Sequence, residues 1–153
     1  KAVAQINKIK SQDHETGIRP NDLREKLTNA MNEYVGVYRN DKMLKKGLKK
    51  ILEVKEDFKR VCIDDKSDFF NTDLLTTLEL DNLILLAEST VRSAIPRLES
   101  RGAHTREEYP ARDDENFRKH TIASINAQGD IEISYEPVRL VNSKKYVPVE
   151  RKY

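Results

Sequence analysis

Ionisable side chains are concentrated in one segment, residues 99–116, which reads ESRGAHTREEYPARDDEN. Arginine and carboxylate residues alternate around one histidine, and Gly102 and Pro110 are typical of sharp turns. Because arginine binds carboxylates through two parallel hydrogen bonds, a segment of fixed shape with this composition is suited to docking. It contains few apolar residues, so we expect it to lie outside the core, either as a docking loop or as an ordinary solvated loop.

No other group of residues indicates catalysis or metal binding. The three histidines, His14, His104 and His120, lack the spacing of metal ligands. The single cysteine, Cys62, lies between two β-branched apolar residues and is predicted to be a buried structural thiol. The five glycines are scattered, and neither a phosphate-binding loop nor a dinucleotide fingerprint is present. The sequence therefore predicts no catalytic residue, no metal site and no cofactor-binding residue in this chain.

The composition indicates one domain that is unusually polar. Of the 153 residues, 37% are hydrophobic and 35% are charged, with a net charge of +2, whereas self-sufficient domains are about 45–50% apolar. No run of about 18 apolar residues exists, so the sequence predicts no membrane span. The chain starts at Lys1 without a signal-peptide pattern. We therefore expect a piece of a larger protein, which depends on contacts outside this chain.

Apolar residues at helical spacing predict a short helix in residues 1–12 and two longer helices after it. The first of the longer helices opens at Pro20, and Asp22 with Glu25 resembles a capping box. The next is expected over residues 41–60. Each of these amphipathic helices is expected to bury its apolar face against the neighbouring helices.

The strongest helical pattern begins at Asn71 or Thr72, either of which could cap the helix, and continues to Leu98. Pro96 lies inside this pattern. Because proline lacks a backbone donor and disfavours helix at the preceding residue, we expect a kink or a break there. Gly102 then supplies a stop.

The charges of the helices favour packing against one another. Residues 41–60 contain eight basic and four acidic side chains, a net +4, whereas residues 64–90 contain one basic and seven acidic, a net −6. Nucleic-acid binding requires a basic face with stacking aromatic residues. Tyr34 and Tyr38 lie on the apolar face of their helix and are predicted to pack in the core, so no nucleic-acid partner is expected.

After residue 117 the spacing changes to that of β-strands, and two short strands around AQGD predict a β-hairpin. The fold class predicted is mainly α, an antiparallel bundle of about three helices followed by an extended tail with a small β-hairpin. The bundle is expected over residues 1–103, and the charged loop, hairpin and tail over residues 104–153.

The stretch ESRGAHTREEYPARDDENF closely resembles the C-terminal domain of the flavoprotein subunits of succinate dehydrogenase and fumarate reductase. That family's signature reads Glu-Ser-Arg-Gly-Ala-His, then Arg-Glu-Asp-Tyr/Phe-Pro, then Arg-Asp-Asp-Glu-Asn-Trp. LREKLTNAMNEYVGVYRND, DKSDFFNTDLLTTLELDNLILLAES and GDIEISYEPVRL resemble other parts of the family, and RKY its usual end. The likeness covers nearly the whole chain. Two departures are Phe117, where the family has Trp, and Pro96, where it keeps a helix-compatible residue.

The resemblance implies a parent subunit that interconverts succinate and fumarate by hydride transfer to FAD. Electrons would pass through an iron–sulfur subunit to quinone, on the cytoplasmic or matrix face of the respiratory membrane. Family residues for catalysis and FAD binding belong to domains before Lys1, so this chain alone is expected to be inactive and to bind no cofactor. Its expected partners are the FAD-binding and capping domains and the iron–sulfur subunit. The residues expected to dock are Arg101, Gly102, His104, Arg106, Tyr109, Arg112, Asp113, Asp114 and Asn116.

Alternatives remain at this point. L-aspartate oxidase has a related Glu-Ser-Arg-Gly-x-His segment but usually ends soon after it, whereas this chain continues through the hairpin to RKY. The closing YEPVRL and YVPVERKY favour succinate dehydrogenase over fumarate reductase. A free-standing helical module that binds an unrelated partner through residues 99–117 is the alternative from another class of protein.

Overall fold

The computed structural model describes residues 2–139. Its elements are α1 (Ala2–Ser11), α2 (Pro20–Tyr34), β1 (Tyr38–Arg39), α3 (Asp41–Asp57), α4 (Thr72–Ala94), β2 (Thr105–Arg106), α5 (Asp114–Phe117), β3 (Lys119–Ile125) and β4 (Ile131–Pro137). The predicted fold class is confirmed, since the described part is mainly helical, with helices packed together and a small antiparallel hairpin after them. The predicted tail beyond residue 139 lies outside the described residues, and the predicted boundary at residue 103 stays a prediction.

The start of α2 is set by backbone conformation. Pro20 occupies the first helical turn, where its missing N–H costs no hydrogen bond. Arg19 is the N-cap residue, and it makes no side-chain cap. The predicted capping-box pair of Asp22 and Glu25 is therefore wrong: the residue three before Glu25 lies inside the helix, not at its cap.

Asparagine side chains cap the next two helices. The Asn40 Oδ1 atom accepts a hydrogen bond of 2.8 Å from the Met43 amide at the start of α3. The Asn71 Oδ1 atom accepts one of 2.7 Å from the Leu74 amide at the start of α4, so of the two predicted caps Asn71 is the cap and Thr72 is not. Each cap satisfies an amide that the helix itself leaves without an acceptor.

The predicted break near Pro96 is confirmed. α4 ends at Ala94, and the Ile95 amide makes the last helical hydrogen bond, to Val91. Proline disfavours helical conformation at the residue before it, so the chain leaves the helix here. This exit places residues 99–116 at the C-terminal end of the longest helix. α3 likewise ends close to its predicted limit, at Asp57, and continues as a 3₁₀ turn over Phe58–Arg60.

Helices α2, α3 and α4 contact one another around one apolar core. α2 and α3 run antiparallel, since Lys26 in the first half of α2 pairs with Asp57 at the end of α3 (3.0 Å). At the other end, a Cβ added to Gly47 would lie 2.8 Å from the Tyr34 Cβ, so glycine permits the close approach. The helical core residues are Leu23, Leu27, Ala30, Leu44, Ile51, Val54, Leu80, Ile84, Ala87, Val91 and Ala94.

A buried carboxylate joins α3 to α4. Glu88 is 1% exposed and accepts hydrogen bonds of 2.7 Å from both Lys55 and Arg92. Burial opposes its ionisation, but the bonds from the two cations outweigh this, and the pKa of Glu88 lies below its usual value. The ion pair with Glu88 explains why Lys55 is tolerated among the apolar residues of α3.

A two-stranded parallel sheet, which the sequence did not predict, joins β1 to β2. Tyr38 is paired with Thr105, and Arg39 with Arg106. The prediction that Tyr38 packs in the core is wrong: its side chain is 72% exposed, because the chain has left the helix and the apolar face no longer continues.

The predicted hairpin is confirmed. β3 and β4 pair antiparallel from Lys119 opposite Pro137 to Ile125 opposite Ile131. Gly129 in the turn has φ +90°, a conformation that favours glycine. The hairpin lies against α4 and buries Ile131, which supplies the support that an isolated two-stranded sheet lacks.

Candidate docking site at the end of the longest helix

The docking segment, residues 99–116, begins with a tight turn. Arg101 and His104 exchange two backbone hydrogen bonds, of 2.8 and 3.1 Å. Between them Gly102 has φ +59°, in the left-handed region. No heavy atom lies within 4 Å of a Cβ added there, so the backbone conformation, and not lack of space, favours glycine.

A buried carboxylate anchors the first part of the segment. Glu99 is 0% exposed, and its two oxygens accept hydrogen bonds of 2.8 and 2.9 Å from Arg101. Arg97 lies 2.9 Å from the same carboxylate, and the Asp113 amide donates to it at 3.0 Å. Burial opposes ionisation of Glu99, but the bonds from Arg101 and the Asp113 amide prevail and lower its pKa.

The same arginine reaches the last part of the segment. Arg101 donates to Asp114 at 2.6 Å, and Arg112 also donates to Asp114, at 2.9 Å. Asp113 caps α5 by accepting from the Asn116 amide at 2.9 Å. The hydrogen bond from Arg101 is the main reason why the pKa of Asp114 lies below its usual value. Five predicted docking residues are therefore brought together in one network.

Arg106 is buried, at 1% exposure, and closes the end of α4. Its Nη1 atom donates to the carbonyl oxygens of Ala94 (3.3 Å) and Ile95 (3.1 Å), which receive no hydrogen bond from a following helical turn. Its Nε atom donates to Glu108 at 3.3 Å, and its guanidinium lies 5.6 Å from the centre of the Tyr109 ring. A positive charge is favourable at this end of the helix.

His104 is a neutral bridge between two arginines. Its Nδ1 atom accepts a hydrogen bond of 2.8 Å from Arg39, because a guanidinium can only donate. Its Nε2 atom must then carry the proton, which it donates to the Arg97 carbonyl at 3.0 Å. Burial is the main cause of the lowered pKa of His104, and the neighbouring arginines add to it. With both nitrogens occupied, the ring is placed to hold the fold and not to move a proton.

Two further carboxylates fasten the segment to α3. Glu107 accepts a hydrogen bond of 2.7 Å from the Asn40 side chain. Glu108 accepts one of 2.6 Å from the Asp41 amide, at the N-terminus of the helix, where negative charge is favourable. The segment thus joins the end of α4 to the start of α3.

These contacts correct one expectation. The segment does not lie wholly outside the core, since Glu99 and Arg106 are among the most buried side chains of the described residues. Burying a charge is costly unless it is paired. The Glu99 carboxylate is bound by Arg97, Arg101 and the Asp113 amide. Arg106 is bound through Nε and Nη1, whereas its buried Nη2 atom has no hydrogen-bond partner within the described residues. Gly102, Tyr109 and Asn116 remain exposed. Whether the segment docks on another domain stays a prediction.

The sequence did not single out three residues of this network, Arg39, Arg97 and Glu99. A signal for Arg39 was present, because it lies near the end of LREKLTNAMNEYVGVYRND, one of the stretches that resemble the family. Its three hydrogen bonds, to His104 and to the carbonyls of Gly36 and Val35, hold the turn after α2.

The cysteine and possible metal ligands are the other candidate sites. Cys62 is buried, and burial raises the pKa of its thiol, as expected of a structural cysteine. Residues 2–139 contain no group of three or more His, Cys, Asp or Glu residues placed to hold a metal ion. In the same part of the chain, every helix is too short or too polar to cross a membrane.

The class of protein is a helical domain with a Glu-Ser-Arg-Gly-Ala-His segment directly after its longest helix. Glu99 and Arg101 of that segment pair with each other, and Arg106 just after it binds the end of the helix. Residues 24–153 match the family described as fumarate reductase flavoprotein C-term, and the chain belongs to that family.

Both kinds of respiratory flavoprotein are among the relatives. The fumarate reductase flavoprotein subunit of Haemophilus influenzae is 42% identical over 132 residues, which cover 86% of this chain and 22% of that protein. The succinate dehydrogenase flavoprotein subunit of Rickettsia conorii is 41% identical over 153 residues, covering 97% and 26%. The chain therefore spans about a quarter of the length of these relatives.

The fold is also that of a solved relative. Escherichia coli quinol fumarate reductase FrdA superposes with a TM-score of 0.86 at 38% sequence identity, covering 95% of this chain and 25% of that one. The sequence relatives of both kinds and the solved fumarate reductase thus identify the same domain.

Proposed function

We propose that this chain is the C-terminal helical domain of a succinate dehydrogenase flavoprotein subunit. The parent would oxidise succinate to fumarate with FAD and pass the electrons through iron–sulfur clusters to quinone. The observation that carries this proposal is the family match over residues 24–153, together with 41% identity to a succinate dehydrogenase flavoprotein subunit. Because the chain spans about a quarter of that relative, the chemistry is assigned to the rest of the parent.

FAD belongs to the parent in this proposal, and the chain itself neither binds it nor oxidises succinate. The residues of the chain do not fit the cofactor. A dinucleotide diphosphate is held by glycine-rich loops and free cationic or amide donors, whereas the glycines here are scattered. Arg97, Arg101 and Arg106 already donate to carboxylates and carbonyl groups within the domain.

The domain contributes a docking surface to the parent. The internal network of the docking segment supports this role, because a surface fixed in advance loses little conformational entropy on binding. The exposed residues Gly102, Tyr109 and Asn116 would contact the FAD-binding and capping domains. The iron–sulfur subunit would lie nearby, with the parent peripheral on the cytoplasmic or matrix face of the respiratory membrane.

Fumarate reductase is the second candidate, and a specific observation favours it. Identity to the Haemophilus influenzae fumarate reductase subunit is 42%, about equal to that for the succinate dehydrogenase relative. The closing residues YVPVERKY favour the dehydrogenase. L-aspartate oxidase and a free-standing interaction module are the further alternatives.

An immunoblot of fractionated native extract, with an antibody against this chain, tests the proposal. The expected result is a band several times larger than 17.7 kDa in the membrane fraction that oxidises succinate. The large band in the soluble fraction alone would point to an aspartate-oxidase-like or soluble fumarate-reducing relative. A band at the size of the chain itself would mean a free-standing module and would end the enzyme assignment.

A further inference from the structure

Two adjacent aromatic rings project from the loop that precedes α4. Phe69 is 83% exposed and Phe70 is 101% exposed, and we call this pair the phenylalanine tip. Single exposed apolar residues are common on protein surfaces, whereas contiguous large ones mark interaction sites. The docking segment described above does not include the tip.

Hydrogen bonds hold the backbone of the loop that carries the tip. The Asn71 side chain donates to the carbonyl groups of Asp65 (2.8 Å) and Ser67 (3.0 Å). Lys10 donates to the same Ser67 carbonyl at 2.8 Å, and the Ser67 amide donates to the Asp65 side chain at 2.8 Å. The backbone that carries the two rings is therefore held in place while the rings stay exposed, as is typical of a preorganised contact.

The backbone at the tip is strained. Phe70 has φ +50°, the one positive value at a non-glycine residue within residues 2–139. Bulky residues adopt this region only where the surrounding structure imposes it, and such positions cluster at functional sites. The strain directs the Phe70 ring into solvent, where this domain offers it no contact.

We propose that the phenylalanine tip inserts into an apolar pocket on the preceding part of the same flavoprotein chain, an inference that rests on the proposed function. Two phenylalanine rings bury roughly 300–500 Å², less than the approximately 800 Å² that each partner of a stable complex buries. The tip alone is thus too small to hold a second copy or a separate subunit. A contact within one chain needs less area, because the covalent link supplies an effective concentration in the millimolar range.

The position of the tip agrees with an occupant from the same chain. α1 precedes the bundle along the chain, and Lys10 near its end pairs with Asp68 beside the tip at 2.5 Å. Lys66 donates to the Gln12 carbonyl at 3.3 Å. The C-terminal end of α1, the first helix of the chain, therefore lies against the loop, and Asp68 beside the tip is paired with Lys10.

Hydroxyl-radical footprinting of the full flavoprotein subunit tests the proposal, with oxidation of the two rings compared between the native and the urea-unfolded subunit. We expect several-fold protection of both rings in the native subunit without the iron–sulfur partner, at every protein concentration. Absence of protection would overturn the inference. Protection that appears only with the iron–sulfur subunit, or that grows with protein concentration, would also overturn it, since the occupant would be a separate chain.

A variant gives a second readout. Phe69→Ser combined with Phe70→Asn removes both rings but keeps the loop, because Asn tolerates positive φ. We expect proteolysis between this domain and the preceding part of the subunit to become about tenfold faster, as for loss of an interface anchor. Ile125→Thr, at a residue 57% exposed on the hairpin, is the control and leaves the rate unchanged. Equal rates in both variants would contradict the proposal. A native parent without flavin would instead refute the proposed function.

Discussion

Arg101 meets the buried carboxylate of Glu99 through two parallel hydrogen bonds, of 2.8 and 2.9 Å, directly after the longest helix ends. Only Ser100 separates the two residues along the chain, so the most charged segment of the sequence is paired first with itself. Arg101 also reaches Asp114 at 2.6 Å and thereby closes the segment into a loop. The charges that indicate docking also hold the domain together.

Replacement of Glu99 by Ala leaves two arginines without their buried partner. We expect the free energy of unfolding to fall by about 3–5 kcal/mol, as when one partner of a buried ion pair is removed. Urea unfolding of the purified chain measures the change. Glu115→Ala, at an exposed residue of α5, is the control and should change stability little. A loss for Glu99→Ala no larger than for this control would contradict the anchoring role.

Arg106→Lys tests the closure of α4. Lysine keeps the charge but cannot place one donor between the carbonyls of Ala94 and Ile95 while another reaches Glu108. We expect a loss of about 1.5–3 kcal/mol, the range for hydrogen bonds to charged groups. Hydrogen exchange should also become faster at the amides of the last turn of α4. Unchanged exchange there would mean that the helix end is stable without the arginine.

His104 makes stability depend on pH. Its folded pKa lies below the ordinary value of 6.5, so well above pH 6.5 the imidazole is neutral in both states and its contribution is fully present. As the pH falls below 6.5, the unfolded chain binds a proton first, and the free energy of unfolding decreases down to the folded pKa. His104→Asn should remove this slope, and His120→Asn should not. Urea unfolding at several pH values distinguishes the two, and an unchanged slope in His104→Asn would contradict the assignment.

Gly47 and Gly36 form a matched pair for the contact between α2 and α3. A Cβ at Gly47 would lie 2.8 Å from the Tyr34 Cβ, whereas one at Gly36 would lie no nearer than 3.6 Å from its neighbours. We expect Gly47→Ala to destabilise the chain by about 1–3 kcal/mol through overpacking, despite the better helix propensity of alanine. Gly36→Ala should be neutral or slightly stabilising. Thermal unfolding measures the two changes. A lower unfolding temperature for Gly36→Ala than for Gly47→Ala would contradict the close approach of α2 and α3.

Tyr109→Ala separates docking from stability. The Tyr109 ring is 40% exposed and contacts the Arg106 guanidinium, a contact worth about 0.5–1 kcal/mol at an exposed site. We expect a small loss of stability in the chain but clearly faster loss of flavin from the full subunit on heating. Tyr38→Ala, at a tyrosine outside the segment, is the control. Flavin retention equal in both variants would count against a docking role for Tyr109.

Local patterns of the sequence predicted the helices before residue 99, a cap at Asn71 or Thr72, the end of α4 near Pro96 and the hairpin, because each depends on neighbouring residues. The pairing of Tyr38 with Thr105 could not be predicted in this way. Each strand is two residues long and shows no alternation, and the contact joins distant parts of the chain.

The burial of charged side chains could not be predicted from the composition either. Glu99, Arg106 and Glu88 count as surface residues in any hydrophobicity pattern. Specific partners from other parts of the fold bind each of them, as Lys55 does for Glu88, although the Arg106 Nη2 atom has no hydrogen-bond partner within the described residues. Those partners become visible only when the fold brings them together.

Capture of the native parent with an antibody against this chain, followed by flavin determination and a succinate-driven dye-reduction assay on the same sample, tests the central claim most directly. We expect a polypeptide several times larger than 17.7 kDa that contains flavin and reduces the dye when succinate is added. A captured polypeptide without flavin and without succinate-dependent activity would contradict the assignment to a succinate-oxidising flavoprotein.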